Sequence, residues 1–380
     1  MMKIRLFVIA FLMTLLSALP AEAQVETLAK LAIIVDANSG AVLLDKNAGQ
    51  RMPTSSMSKV MTMYMVFEAL KQGHLHLNDE ILVSERAWRN SMNDGSRMFI
   101  QVGSRVKVED LIRGVIIQSG NDASVALAEG VAGTEEAFVD AMNTRAKEIG
   151  LKDSHFMNAT GLPDPDHYST PRDLAVLAYR IMTDFPEYYH YFSEKEYVYN
   201  NIKQQNRDPL LGKVPGADGL KTGHTEIAGY GLIGTALRDG RRVILVMNGL
   251  ESQKDRQEEG IKMMEWAFRS FEAKKILAKG QAVDSARVWL GSSELVPMVV
   301  AQDVNIVMPR AKRNDLKLSV KYQEPLNAPI KAGDKVGTLQ VQVPDQQPVA
   351  IDLLAGADDP RKGVFGRVKD RLSYLVTGNF

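Results

Sequence analysis

Ser56-Met57-Ser58-Lys59, Ser119-Gly120-Asn121 and Lys221-Thr222-Gly223 lie far apart in the chain, and each sits in a different local pattern. The first opens a helical stretch, the second falls between two helical stretches, and the third opens a strand. Together they supply a nucleophile, bases that could activate it and a cationic anchor for a carboxylate. Acyl transfer needs that equipment and a binding module does not. A fold that unites them must bring a helix start, a helical turn and a strand to one point.

A serine hydroxyl is a poor nucleophile at neutral pH and needs a neighbour to take its proton. Residues 56–72 (SMSKVMTMYMVFEALKQ) hold no proline or glycine, are rich in helix formers and stop at Gly73, a fitting C-terminal cap. One helix from Ser56 to Gln72 is expected. Lys59, three residues on, then shares a face with Ser56. At the first turn the Ser56 N–H is one of the unpaired donors where the helix dipole favours negative charge, so it can form half of an oxyanion hole. To act as a base Lys59 must be largely neutral, which burial and a neighbouring cation such as Lys221 bring about. The bland alternative is an N-cap serine followed by a surface lysine.

In residues 108–118 (VEDLIRGVIIQ), Leu111, Ile112, Val115 and Ile116 form a helical stripe, and helix resumes from Asp122. Ser119 and Asn121 are expected on the turn, where a hydroxyl relays a proton and an amide orients a substrate amide. Capping alone would also explain them. Gly219 to Thr225 leads into a strand from Gly229, a tight turn at Arg238-Asp239-Gly240-Arg241 and a second strand from Val243. Lys221 and Thr222 at a strand edge can hold a carboxylate. The missing side chain at Gly223 is expected to let substrate backbone lie close, and the His224 N–H to be the second oxyanion donor.

S-x-x-K, S-D-N and K-T-G in this order are the signature of penicillin-binding proteins and class A β-lactamases, and Ser-Gly-Asn in place of S-D-N departs from the β-lactamases. With Ser-Gly-Asn in the middle, the chain resembles low-molecular-mass penicillin-binding proteins of the D-alanyl-D-alanine carboxypeptidase family. The likeness extends through residues 32–43, 111–123, 150–156 and 219–225 to both terminal regions. It implies an α+β catalytic domain of β-lactamase/transpeptidase type, an antiparallel sheet flanked by helices with a helical subdomain, followed by a small all-β sandwich. It implies that Ser56 forms the acyl-enzyme, Lys59 is its general base, Ser119 lies in the proton path and Asn121 binds the acyl-side peptide amide. Lys221 and Thr222 would hold the terminal carboxylate of the leaving D-alanine, supported by Arg256 in Ser252-Gln-Lys-Asp-Arg. The implied substrate is the peptidoglycan stem pentapeptide, with β-lactams as covalent inhibitors. A D,D-endopeptidase or weak β-lactamase is the rival within this class, and a catalytically dead cell-wall binding protein the rival outside it.

At 380 residues and 45% hydrophobic content the chain can bury two domains. Its net charge is zero, with no long single-sign run, which gives a nucleic-acid partner little support. The absence of cysteine excludes disulfides and thiol catalysis. No metal or cofactor is implied: His74 and His76 lack further ligands nearby, and His224 is simplest as a backbone donor. Residues 1–23 read as a secretory signal, with Lys3 and Arg5 before an apolar run and Ala21-Glu22-Ala23 at its end. A lone membrane anchor is the competing reading. Residues 24–273 are the expected catalytic domain, ending in a helix from Glu259 to Glu272, and 274–358 the β-sandwich of short alternating runs. In residues 361–380, Val364, Phe365, Val368, Leu372, Leu375 and Val376 share one helical face. Such a basic amphipathic helix suits the anionic interface on the outer face of the cytoplasmic membrane, or else packs on its own domain.

Glu324-Pro325-Leu326-Asn327 is similar to the E-P-x-L-N loop whose glutamate deacylates class A β-lactamases. It follows Lys221 instead of preceding it, so it reads as a turn. The corresponding window, residues 158–173, has no such glutamate. There Thr170 reads as an N-cap with Pro171 at the first helical position, and Asp173 as structural.

Overall fold

The computed structural model describes residues 25–90, 95–343 and 348–377. The segment read as a secretory signal lies outside the described residues. Helices α1 (Lys59–Lys71), α2 (Glu85–Asn90), α3 (Val108–Ile116), α4 (Asn121–Ala132), α5 (Glu135–Glu148), α6 (Pro171–Asp184) and α7 (Gln253–Ser270) build the first domain with strands β1 (Leu31–Asp36) and β2 (Val42–Lys46). Two small ribbons, β3 (Glu80–Leu82) with β4 (Arg105–Lys107) and β5 (Glu196–Tyr199) with β6 (Ile202–Gln205), sit between the helices. Strands β7 (Ala217–Thr225), β8 (Gly229–Arg238) and β9 (Arg241–Leu250) complete an antiparallel sheet in the order β2-β1-β9-β8-β7.

Both faces of this sheet are covered, so its strands read as nearly continuous apolar runs. On β1, Leu31 and Ile33 face one core while Ala32 and Ile34 face the other. On β9, Ile244 and Val246 alternate in the same way with Val243, Leu245 and Met247. One core takes α7 through Met263, Met264 and Ala267. The other takes α6 and α1, whose residues from Lys59 to Leu70 are buried almost all round, as for a central core helix. The expected tight turn between β8 and β9 has Asp239 and Gly240 at φ +50° and +76°, the left-handed pair of a two-residue hairpin. Thr170 accepts from the Asp173 N–H at 3.0 Å, and Asp173 in turn accepts from Asp153 N and Ser154 Oγ, both at 2.7 Å. Its carboxylate is structural, as read from the sequence.

The expected helix from Glu259 to Glu272 instead spans Gln253–Ser270, capped by the Ser252 hydroxyl on the Asp255 N–H at 3.0 Å. Its periodicity runs past Ser270, but Phe271 pairs with Pro309 and the chain continues as strand β10 (Phe271–Leu277). Then follow β11 (Ala282–Trp289), β12 (Leu295–Val300), β13 (Val304–Pro309), β14 (Lys317–Lys321), β15 (Leu326–Asn327), β16 (Lys335–Gln342) and β17 (Val349–Ala355). β10 and β13 form a ribbon, and the others a six-stranded sheet in the order β14-β16-β17-β12-β11-β15. They close on a core of their own that includes Ala286, Met298, Val300, Leu339, Val341 and Leu353. Glu324 falls in the turn before β15, ion-paired to Arg287 at 3.5 Å.

Helix α8 (Val364–Thr377) follows. Tyr374 meets Trp289 edge-on, with centroids 5.5 Å apart, and Lys362 pairs with Asp370 at 2.7 Å. Its apolar face is largely uncovered: Phe365 is 93% and Val376 85% exposed, with Leu372 and Leu375 also open. Among the described residues no helix is long and apolar enough to cross a membrane.

Candidate active site

The three clusters converge where the start of α1, the start of α4 and the edge strand β7 meet. Helix α1 does not begin at Ser56. Residues Ser55–Ser58 form a 3-10 turn and the α-helix starts at Lys59, ending before Gly73 at φ +73°. The turn is pressed against β7. A Cβ at Gly223 would lie 2.2 Å from Ser55 Oγ and 3.0 Å from the Thr54 carbonyl oxygen. Gly223 therefore makes room for the 3-10 turn that carries Ser56. Ser55 sits at φ +46° and Ser119, in the second cluster, at φ +65°. Both serines are buried in the left-handed region that non-glycine residues seldom adopt.

Lys59 is fully buried. Its Nζ lies 3.0 Å from Ser56 Oγ, 2.7 Å from Asn121 Oδ1 and 2.5 Å from the Thr160 carbonyl oxygen. The amide and carbonyl oxygens can only accept. When Lys59 is neutral they therefore take its two N–H bonds, and its lone pair is directed at Ser56. Burial is the main cause that brings Lys59 down to about 7, with the Arg207 guanidinium adding to it and the Asp122 carboxylate opposing it. Arg207 takes the place of Lys221, which was expected as that neighbouring cation. The Asp122 carboxylate, raised by burial, is stabilised by the N–H groups of Met98, Phe99, Ile100 and Ala123, which tie the 98–100 segment to the start of α4.

Lys221 Nζ donates to Ser119 Oγ at 3.0 Å and to the Thr222 carbonyl at 3.2 Å. Burial lowers its pKa well below the ordinary range, and the charges of Lys59, Arg207 and Arg256 push the same way. Thr222 is buried beside it. Arg256, from the first turn of α7, donates to the Gly223 carbonyl at 3.3 Å and lies over the Tyr230 ring at 5.4 Å. The other face of this aromatic cluster is the exposed His224 ring, stacked on Tyr230 with centroids 4.0 Å apart.

Thus Ser56, Lys59 and Asn121 are joined directly, as are Lys221 and Ser119, while Thr222, Gly223, His224 and Arg256 line or back the β7 edge. Four participants were not read from the sequence. Thr160 contributes a carbonyl, which every residue has. Arg207 adds its charge to the burial that lowers both lysines, and it bonds Ser96 Oγ. Asp208, raised to about 6 by burial and opposed by Arg256 and Lys221, is a buried acid next in sequence. Asp122 directly follows the second cluster, and that adjacency was the one available signal. The chemical sense of the whole is a serine with an amine beside it that titrates near neutrality, set among the Arg207 and Arg256 guanidiniums.

A serine beside a fully buried lysine amine, a second hydroxyl on a second lysine and a five-stranded antiparallel sheet define a serine acyl-transfer enzyme. The family model described as D-alanyl-D-alanine carboxypeptidase matches residues 18–251, and that of the penicillin-binding protein 5 C-terminal domain matches 271–361. The chain belongs to the D-alanyl-D-alanine carboxypeptidase family. It is 38% identical to the D-alanyl-D-alanine carboxypeptidase DacA of Haemophilus influenzae, over 92% of this chain and 89% of that protein. With DacC of Escherichia coli it shares 38% identity over 89% and 86% respectively. Penicillin-binding protein 5 of H. influenzae superposes with a TM-score of 0.78 at 37% identity, covering 89% of this chain and 99% of that one. The carboxypeptidase DacD of Francisella tularensis gives the same TM-score at 30% identity, over 90% and 95%. The α+β catalytic domain with a C-terminal all-β domain, expected from the sequence, is what the chain has.

Proposed function

We propose that Ser56 is the nucleophile of a serine-type D-alanyl-D-alanine carboxypeptidase acting on peptidoglycan stem pentapeptides, with Lys59 as its general base. The observation that carries this is the 3.0 Å approach of a fully buried Lys59 amine to Ser56 Oγ, with the other two contacts of that amine being acceptors. Lys59 takes the Ser56 proton as Oγ attacks the carbonyl of the penultimate D-alanine. The C–N bond to the terminal D-alanine breaks, and the proton reaches the leaving amine through the Ser119 hydroxyl. Water then adds to the ester, returns a proton to the site and releases the shortened peptide. Lys221 and Thr222 hold the leaving carboxylate, backed by Arg256. An arriving carboxylate favours the ammonium form of Lys221 that burial alone disfavours. Asn121 orients the acyl-side amide, and the N–H groups of Ser56 and His224 stabilise the oxyanion. β-Lactams mimic the scissile dipeptide and acylate Ser56.

Intact-mass spectrometry tests the assignment: wild-type protein gains one penicillin, and Ser56→Ala protein gains none. A covalent adduct on the Ser56→Ala protein would sink it. Release of D-alanine from pentapeptide, compared with cleavage of crosslinked dimers and turnover of penicillin, separates carboxypeptidase from endopeptidase and β-lactamase.

The uncovered apolar face of α8, with Arg367, Lys369 and Arg371 on the same helix, supports a place on the outer surface of the cytoplasmic membrane after secretion. Truncation before Arg361 is expected to move the protein from the membrane to the soluble fraction and to leave penicillin acylation unchanged. Unchanged fractionation would remove the anchoring.

A further inference from the structure

The connection from α5 to α6 touches the turn that carries Ser56, and the start of α1, at three points. The Thr160 carbonyl receives Lys59 Nζ. Gly161, at φ +80°, lies so close that a Cβ there would sit 1.9 Å from the Ser55 carbonyl oxygen. Further along, the His167 ring reaches Ser58, the last residue of the Ser56 turn, with Nε2 2.7 Å from Ser58 Oγ. His167 is 4% exposed and is packed edge-on against Phe156 at 5.7 Å.

The direction of this bond follows from its surroundings. The Met157 backbone N–H points at His167 Nδ1 from 3.2 Å, so Nδ1 must be the acceptor. Nε2 therefore carries the proton and donates to Ser58. The Ser58 hydroxyl in turn meets Thr54 Oγ1 at 2.5 Å, at the entry to the 3-10 turn. An imidazolium would set a second N–H against that of Met157. Burial holds the ring near 4, with His155 and Lys59 pushing the same way and Asp164 opposing, so it stays neutral through the working range.

We propose that His167 is a positioning residue for acylation: its bond to Ser58 clamps the loop that carries the Thr160 carbonyl to the turn that carries Ser56, and so fixes where the Lys59 lone pair points. Thr160 and His167 belong to one loop, Ser56 and Ser58 to one turn, and Lys59 is held between them. Without the clamp the loop stays tied to α1 by the Lys59–Thr160 and Thr62–Ala159 bonds and, ahead of the turn, by the Met52–Ser169 backbone pair, but none of these side-chain or backbone bonds holds the turn at Ser58. The amine then samples positions off the line to Oγ. Because carboxylate recognition lies on β7 and α7, it is expected to be spared.

The proposal rests on Ser56 and Lys59 as nucleophile and base. The test follows acylation of the purified protein by benzylpenicillin, separating the encounter dissociation constant from the acylation rate constant, with adduct mapping and thermal unfolding. In His167→Leu the acylation rate constant should fall about 10–100-fold while the encounter constant stays within about threefold, since a misdirected base harms the transition state and not ground-state binding. His167→Gln places an amide N–H near Nε2 and should recover to within about threefold of wild type. Ser58→Ala, which cuts the same chain from the other side, should reproduce the slow step. It decides the matter if His167→Leu does not fold. A folded His167→Leu or Ser58→Ala protein acylating at Ser56 at the wild-type rate overturns the clamp, as does a His167→Gln protein no faster than His167→Leu. An adduct mapped away from Ser56 overturns the underlying nucleophile assignment instead.

Discussion

Lys59→Ala protein is expected to acylate with penicillin about 10²–10⁴-fold more slowly than wild type, the range over which a positioned general base contributes. Lys59→Arg should be equally slow, because a guanidinium keeps its proton and offers no lone pair. The wild-type rate should carry the signature of the amine itself. Lys59 titrates near 7, lowered by burial and Arg207 and opposed by Asp122, so the ammonium dominates below that pH and the free amine above it. Acylation should therefore rise with pH through about 7 and level off. Stopped-flow acylation across pH 5 to 9, on wild type and both variants, measures this. A flat profile for wild type would assign the proton transfer to another group.

Gly161→Ala is expected to be the most damaging single methyl in the catalytic domain. The new carbon would stand 1.9 Å from the Ser55 carbonyl oxygen and 3.2 Å from the Ser56 nitrogen, and both neighbours are backbone that cannot swing aside. The residue also sits at φ +80°, where alanine is strained. Either the loop lifts, carrying the Thr160 carbonyl off Lys59, or the nucleophile turn shifts. A displacement near 1 Å at reacting groups costs about 100-fold in rate, so acylation should drop by at least that factor. Stability should fall by about 1–3 kcal/mol. Gly150→Ala is the control: φ is +94°, yet nothing lies within 4 Å of the added carbon. It should share the backbone strain, seen as a lowered melting temperature, and keep the acylation rate. Equal acylation by the two variants would mean that the Gly161 contact does not position the site.

The residues legible in the sequence were those whose side-chain chemistry is specific. Ser56, Lys59, Ser119 and Lys221 stood out because few other residue types can do what an acyl-transfer site asks of them, and because their order is distinctive. The α+β architecture came with the resemblance that these motifs carry, while the hairpin from Gly219 to Gly249 was readable from its strand runs and the turn at Arg238-Asp239-Gly240-Arg241. What stayed hidden depends on packing between distant segments. Helix propensity starts a helix at Ser56 and has no knowledge of β7, against which the turn tightens into a 3-10 form with Ser55 left-handed. Gly223 was recognised as a close approach, but the sequence does not say which partner approaches. The Thr160 carbonyl has no side-chain mark at all, and Arg207 lies 148 positions from the lysine it influences. Phe271 and Glu272, the first two residues of β10, were read as helix because periodicity continues past Ser270, whereas pairing with β13 decides their form.

Ser55 and Ser119, both buried and both left-handed, flank the cleft from the nucleophile turn and from the α3–α4 turn. A glycine would fit either backbone with less strain, by about 1 kcal/mol. Ser119 nonetheless presents its hydroxyl to Lys221. Selection for thermal robustness and selection for turnover thus favour different residues at position 119. A population of this protein drifting without a substrate would be expected to lose that hydroxyl early, and to become sturdier as it fell silent.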